Sequence, residues 1–371
     1  MDSVLIVSNG VGEDTIGVAV ASRLRGVAAV EAFPLVGLGG AYADIPLLDP
    51  RRELPSGGFA LRGGLTALLP DLRAGGLGFW RRQREALRAR AGRDRAVVVV
   101  GDVSALWMAA PARAPIVLVA TAKSEFNEPH RAVEIRLMRR HAAVVFTRDE
   151  RTAEALRRRD LDARFAGSPQ ADVIPEPVGA LPLPPGAPVV LLLPGSRADA
   201  RRNMALLLRL SLRVSEQEPA VFVVGLPPSL EVARVVREAA AARWSIDGSF
   251  LRSPSAAVLL TRDFGSALRR ATVVVGLAGT ASEQAAALGT PIVAFAPPGA
   301  VQYTPAFMRL QQRLLGDALV AASDWERAAE ATVRLLRDPT ERARRGAVGR
   351  ERVGPPGAVP AIAAEVRRHL R

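Results

Sequence analysis

Cysteine is absent from all 371 residues, so the chain can form neither a disulfide nor a thiolate metal site. The three histidines, His130, His141 and His369, have no metal-ligand spacing. Aromatic residues make up only 5 % of the chain, and no nucleic-acid-binding motif interleaves them with basic residues. Nucleic acid is therefore not an expected partner. No apolar run reaches the length of a membrane span. Met1-Asp2 leads straight into the strand-like segment Ser3–Val7, without the basic region and cleavage site of a signal peptide. These absences predict a cytoplasmic protein, one that either stays in solution or attaches peripherally to the inner face of a membrane. Lysine is almost missing as well: among 50 basic residues only Lys123 is one. The net charge of +13 divides into +5 up to residue 173 and +8 beyond it, so no single basic arm exists. A distributed positive charge suits anionic lipid or diphosphate ligands.

A chain of this length exceeds what one hydrophobic core usually supports, and two domains are expected. In the first half, Val4–Val7, Ala96–Asp102, Pro115–Thr121 and Ala142–Thr147 read as buried strands separated by helical patterns. A helix is predicted from about Thr15 to Leu24. Glycine pairs and clusters at 37–40, 57–58, 63–64 and 75–78 predict long loops. Residues 174–188 carry the densest proline content and read as a stiff linker. A second set of strands follows at Val189–Leu193, Ala220–Gly225, Ala256–Leu260, Val273–Val275 and Ile292–Phe295, and a helix at about 358–370 follows Gly354-Pro355-Pro356. The expected fold is α/β, with two Rossmann-like doubly wound domains facing a cleft. Residues 1–173 form the first, 174–188 the linker, 189–354 the second, and 355–371 a terminal helix.

The most informative stretch is 272–295. A buried strand runs into the small-residue loop Gly276–Ala281, a short helix from about Ser282, the stop Gly289-Thr290-Pro291, and a second strand. Helix-N-terminal amides beside so small a loop attract anions. Gly279, Thr280 and Ala281 would admit a phosphate, and Glu283 or Gln284 lies one turn further, within reach of a sugar hydroxyl. The strand at 189–193 ends at Pro194-Gly195, where Ser196 and Arg197 offer a hydroxyl and a forked guanidinium suited to a diphosphate. The first strand ends in Gly10-Val11-Gly12-Glu13-Asp14, which gives Gly10 and Gly12 the same amide-exposing place. Each pattern also opens α/β units that bind nothing, and Arg197 taken alone reads more readily as a solvated loop residue.

Leu193–Arg197, Ala278–Gln284 and Gly167–Asp172 resemble motifs of the lipid-A-disaccharide synthases. With Ser8–Asp14, Pro55–Phe59, Val100–Asp102 and Thr121–Ser124, the chain is more similar to the lipid-A-disaccharide synthase-related proteins. The resemblance spans nearly the whole chain and implies a GT-B glycosyltransferase, akin to the peptidoglycan transferase that uses UDP-N-acetylglucosamine and to UDP-N-acetylglucosamine 2-epimerase. It also implies that the terminal helix crosses back to the first domain. One position departs from the synthases: Gln284 stands where they carry a ribose-binding Glu, with Glu283 just before it.

Sugar transfer from a nucleotide diphosphate needs a base for the acceptor hydroxyl and positive potential for the departing diphosphate. Asp102 ends a central strand near the place of the acidic base in the synthases and is the first candidate; it reads equally as a helix N-cap. Glu13 and Asp14 are alternatives, although first-turn acids are commonly partners of the helix dipole. Lys123, kept where arginine has replaced lysine elsewhere, is a third catalytic candidate. Gln302-Tyr303-Thr304 and Gln311-Gln312 follow the last core strand where GT-B enzymes contact the donor, and Gln302 is the best of these. Asp160-Leu161-Asp162, the only Asp-x-Asp, follows three arginines and is expected at the surface, so no metal or other cofactor is expected. The basic segment Phe79–Arg90 suits an anionic membrane surface and a lipid-linked acceptor, or is an ordinary core helix with an arginine face. The leading expectation is an inverting glycosyltransferase acting from a UDP-sugar onto a lipid or lipid-linked acceptor. A 2-epimerase acting on the nucleotide sugar, and a binding protein without catalysis, remain as alternatives.

Overall fold

The computed structural model describes residues 2–53, 69–195, 199–227, 230–241 and 244–371. Two compact units result, one built from residues 1–173 and 355–371, the other from 174–354. Within the first, the chain runs β1 (Ser3–Ser8), α1 (Val11–Leu24), β2 (Ala29–Pro34), α2 (Leu69–Arg73), α3 (Gly76–Ala89), β3 (Ala96–Gly101), α4 (Val103–Ala109), β4 (Ile116–Ala120), α5 (Ala132–His141), β5 (Val144–Thr147), α6 (Glu150–Arg157), β6 (Ala163–Arg164) and α7 (Pro169–Asp172). The six strands are all parallel, in the order β2-β1-β3-β4-β5-β6. All six residues of β3 are buried, as expected of a central parallel strand covered on both faces.

The second unit comprises β7 (Val189–Leu193), α8 (Ala200–Ser215), β8 (Val221–Gly225), α9 (Val232–Ala241), β9 (Ser245–Asp247), β10 (Phe250–Arg252), β11 (Ala257–Thr261), α10 (Phe264–Arg270), β12 (Val273–Gly276), α11 (Thr280–Leu288), β13 (Ile292–Phe295), α12 (Pro305–Leu315), β14 (Leu319–Ala322), α13 (Trp325–Arg337) and α14 (Pro339–Val353). Its sheet has the order β14-β13-β12-β7-β8-β11-β10-β9, parallel except for the β9–β10–β11 edge. Helix α14 backs α11 at close range. A Cβ at Gly349 would stand 2.7 Å from the Ala286 carbonyl oxygen, so only glycine lets the two helices approach this far.

Helix α15 (Ala358–Arg368) returns to the first unit. Ile362, Ala363 and Val366 are buried there in one cluster with Ile16, Val20 and Leu24 of α1. The Asp172 carboxylate at the end of α7 accepts hydrogen bonds from the Gly357 and Val359 amides, each at 2.8 Å. It thereby caps a helix that lies 185 residues away in sequence.

Three sequence expectations change. Helix α1 begins at Val11, not near Thr15, so Gly12, Glu13 and Asp14 lie in its first turn; acidic side chains favour that end of the helix dipole. Strand β2 occupies part of a region expected to be loops, because a half-polar edge strand carries no continuous apolar run. The linker is not free-standing. Asp263 accepts from the Val178 and Gly179 amides at 3.1 and 3.3 Å, and the Ser266 hydroxyl donates to the Gly179 carbonyl, which lays its first half along α10.

The apolar side of Phe79–Arg90 faces inward. Phe79 and Leu87 belong to the core, Trp80 packs against it, and Gln83 donates to the carbonyls of Leu35 and Pro50. The Arg84 guanidinium stacks 3.7 Å over the Trp107 ring. Among the described residues, no helix is long and apolar enough to cross a membrane.

Candidate functional site

In an open α/β sheet the ligand edge is where strand order reverses, because the loops leaving the two neighbouring strands diverge there. The first unit reverses between β1 and β3, the second between β7 and β12. Register brings the strand ends level: Ser8 pairs with Val100 and Leu193 with Gly276.

At the first reversal the Asn9 amide donates to the Val100 carbonyl at 3.1 Å, and its side-chain Nδ2 donates to Asp102 Oδ1 at 3.3 Å. Gly101, at φ +151°, must lack a side chain, because a Cβ would meet that of Asn9 at 2.8 Å. Asp102 is half-buried and caps α4, accepting the Ala105 amide at 3.0 Å. The cap and the candidate base are thus the same carboxylate, oriented by Asn9. Gly10 stands at the N-cap of α1, and Gly12 accepts a hydrogen bond from the Thr15 hydroxyl at 2.7 Å. Glu13 receives the Thr121 hydroxyl at 3.2 Å, which links α1 to the end of β4.

Directly beneath lies a buried chain of three groups. Tyr42 donates to the Ser8 hydroxyl at 2.9 Å, and Ser8 donates to Asp14 at 2.6 Å. Asp14 is 2 % exposed, and burial pushes its carboxyl up to about 7 against the lowering effect of the Ser8 bond. Burial also raises the Tyr42 phenol. Asp14 therefore braces the site from inside, whereas Glu13 stands nearer its surface.

Lys123 lies near Asp102, along a cavity of about 10 Å³ that His130 and Glu134 also line, room for about one water. Its ammonium is paired with Glu128 at 2.7 Å and Glu134 at 3.1 Å. Glu134 also accepts the Arg131 amide that starts α5. Burial holds His130 below the ordinary histidine range. The lone lysine is thus the centre of a charge cluster, its ammonium engaged on two sides.

At the second reversal Gly279 is the N-cap of α11, followed by Thr280 at the surface, half-buried Ala281 and buried Gln284. The Ser282 and Glu283 amides bond back to the Gly279 carbonyl, while among the described residues the Thr280 and Ala281 amides have no hydrogen-bond partner. Gly195, at φ +87°, passes so near that a Cβ would meet the Leu277 carbonyl oxygen at 2.9 Å. Ser196 and Arg197 lie outside the described residues, as do Pro55–Phe59.

Asp199, which the sequence pattern had not singled out, and Gln311, which it had placed among the donor contacts, join these loops. Asp199, 9 % exposed, accepts the Val301 and Gln302 amides at 2.8 and 2.9 Å. Gln311 is a brace and not a ligand group: it takes the Tyr303 hydroxyl at 2.7 Å and donates to the carbonyls of Ala278 and Gly279 at 3.1 and 2.9 Å. Thr304 is likewise occupied, capping α12 through the Phe307 amide. Gln302 remains half-buried on the loop these contacts hold. Asp160 and Asp162 are exposed, with Asp162 paired to Arg164, and among the described residues no group of three or more His, Asp or Glu converges as a metal site.

No protein-family model matches the chain, and no curated protein matches it. Solved structures do. CalG4, the calicheamicin glycosyltransferase, is similar over 100 % of this chain and 98 % of its own, at 18 % identity and a TM-score of 0.62. MurG of Acinetobacter baumannii is similar over 99 % and 100 %, at 14 % identity and 0.61. A UDP-N-acetylglucosamine 2-epimerase is similar over 100 % and 97 %, at 16 % identity and 0.57. Likeness over the full length of both chains, together with two parallel-sheet α/β units, shows that this chain has the GT-B fold.

Proposed function

We propose that the chain is a glycosyltransferase that moves a sugar from a UDP-sugar, of the UDP-N-acetylglucosamine type, to a lipid or lipid-linked acceptor, with inversion. The observation that carries this reading is the placement of matched chemistry at both strand reversals. The second unit offers two helix-N-terminal amides, at Thr280 and Ala281, that are unpartnered among the described residues, the kind of group that receives a diphosphate. The first unit offers a carboxylate, Asp102, oriented by Asn9. In the proposed reaction Asp102 takes the acceptor's proton, and the α11 amides with Arg197 stabilise the leaving diphosphate without a metal. In the same proposal Glu13 assists Asp102, Gly10 and Gly12 keep the start of α1 free of side chains, and Ser196, Glu283, Gln284 and Gln302 are assigned to the donor. Lys123 holds the acidic wall of the first unit in place.

The lipid acceptor rests on the resemblance to the lipid-A-disaccharide synthase-related proteins and on the net charge of +13, which favours an anionic, cytoplasmic membrane face. Thermal-shift measurement with UDP, GDP, TDP and ADP and their sugars tests the donor, since a ligand of the folded state raises apparent stability. A UDP-specific shift, with transfer of labelled sugar to a lipid acceptor that survives chelation, is expected. Loss of transfer with chelator would overturn the metal-free step. The similarity to a UDP-N-acetylglucosamine 2-epimerase favours a second reading, epimerisation of the donor itself. An epimerised product formed with no acceptor present would establish it in place of transfer.

A further inference from the structure

The loop at 299–303 leaves β13 beside the α11 amides, yet its backbone makes few of its own hydrogen bonds. It is held from two sides by side chains. On one side Asp199, at the entrance to α8, uses a single oxygen, Oδ2, to accept both the Val301 and the Gln302 amides. Its other oxygen receives Arg202 at 3.3 Å, and the same guanidinium donates to the Gly299 carbonyl at 3.0 Å. On the other side Tyr303 is 2 % exposed, packs edge-on to Phe307 with ring centroids 5.5 Å apart, and hands its hydroxyl to Gln311. Gln311, 3 % exposed, passes the restraint to the carbonyls of Ala278 and Gly279, the residues that immediately precede α11. A Cβ on Gly279 would lie 3.3 Å from the Phe307 ring, so the loop before α11 and the start of α12 are in direct contact.

The exits of β7, β12 and β13 are thus linked by two buried polar brackets on either side of Gln302. Fixed dipoles bind an anion more tightly than mobile ones because no ordering cost remains at the moment of binding. We infer that Asp199 and Gln311 are positioning residues for the nucleotide diphosphate: they hold the 299–303 loop and the N-terminus of α11 in one arrangement and so set donor affinity. The inference rests on the donor reading given above.

The test uses the full-length chain, with UDP as the probe. Asp199→Ala frees two amides and is expected to weaken UDP binding by calorimetry roughly tenfold, about the worth of one charge-assisted hydrogen bond, while donor KM rises and kcat changes little. Asp199→Asn is expected to recover part of the affinity, since one amide oxygen can accept both N–H groups as Oδ2 does, while its NH2 loses the Arg202 bond. Gln311→Met keeps the volume but not the donor, and is expected to weaken UDP binding while hydrogen exchange at the Val301 and Gln302 amides stays slow. If Asp199→Ala does not fold, the contrast between Asp199→Asn and Gln311→Met carries the test. Folded variants that bind UDP like the wild-type chain overturn the inference and leave the donor reading standing. A wild-type chain that binds no UDP overturns the donor reading, and this inference with it.

Discussion

Asn9 and Asp102, 93 residues apart, meet through a 3.3 Å hydrogen bond that joins the loops following β1 and β3. The bond reaches the same Oδ1 that caps α4, so the carboxylate is fixed by a side chain and a backbone amide together. Structural and chemical roles therefore fall on one group and have to be separated by the choice of substitution.

Asp102→Asn preserves an N-cap acceptor, because Asn and Asp cap helices about equally well, and its melting temperature should stay near that of the wild-type chain. Transfer should fall by about 10²–10⁴, the usual worth of a general base. Asp102→Ala should lose the same activity and about 1 kcal/mol of stability besides. Calorimetric melting alongside a labelled-donor assay separates the two. Full activity in Asp102→Asn would remove the residue from the chemistry.

The buried Asp14 carboxyl makes stability depend on pH. With its pKa raised to about 7, the folded chain retains a proton that the unfolded chain releases near the ordinary Asp value of about 4. Its contribution is fully present below pH ~4, is lost as pH rises through about 7, and is constant above that. Asp14→Asn should flatten this part of the profile, a change on the order of a few kcal/mol between pH 5 and pH 8. Urea unfolding of both proteins at the two pH values gives the difference; equal slopes would show that Asp14 does not titrate there.

Lys123→Met should destabilise the first unit, on the order of 2 kcal/mol, because Glu128 and Glu134 would be left facing each other without their shared cation. A normal melting temperature with transfer abolished would return Lys123 to the catalytic group.

Asp172→Ala should cost about 1–3 kcal/mol and loosen α15, since two buried-end amides lose their acceptor together. Limited proteolysis near Gly357 offers a direct readout, and cleavage no faster than in the wild-type chain would contradict the prediction.

Strands covered on both faces were plain in the sequence: β3 and β7 are unbroken apolar runs, and a glycine or proline marks where each loop begins. The same runs placed Asp102 and the Gly279–Ala281 loop correctly at strand ends. What stayed hidden depends on partners far away in the chain. Asp199 looks like any first-turn acid until the loop 102 residues later supplies its amides. Asp14 looks like a dipole partner until Tyr42 closes over Ser8 and removes the water around it. Lys123 drew attention through its rarity, and rarity carries no information about neighbours such as Glu128. Gln311 was noticed as a polar residue in a favourable segment, but only packing shows that its amide points inward to other loops.

The return of α15 means that the second unit is, in connectivity, an insertion into the first. Residues 174–354 form a continuous piece, whereas the first unit is assembled from two segments separated by that whole piece. During synthesis the second unit can close while the first still exposes the surface of Ile16, Val20 and Leu24 that Ile362 and Val366 will cover. The first unit cannot finish before the second is synthesised, because its covering helix is the last segment of the chain. The Ser168 amide donates to the Pro355 carbonyl at 2.7 Å, so the two ends flanking the insertion lie side by side. That adjacency allows a whole unit to be carried within another without parting the sheet that hosts it.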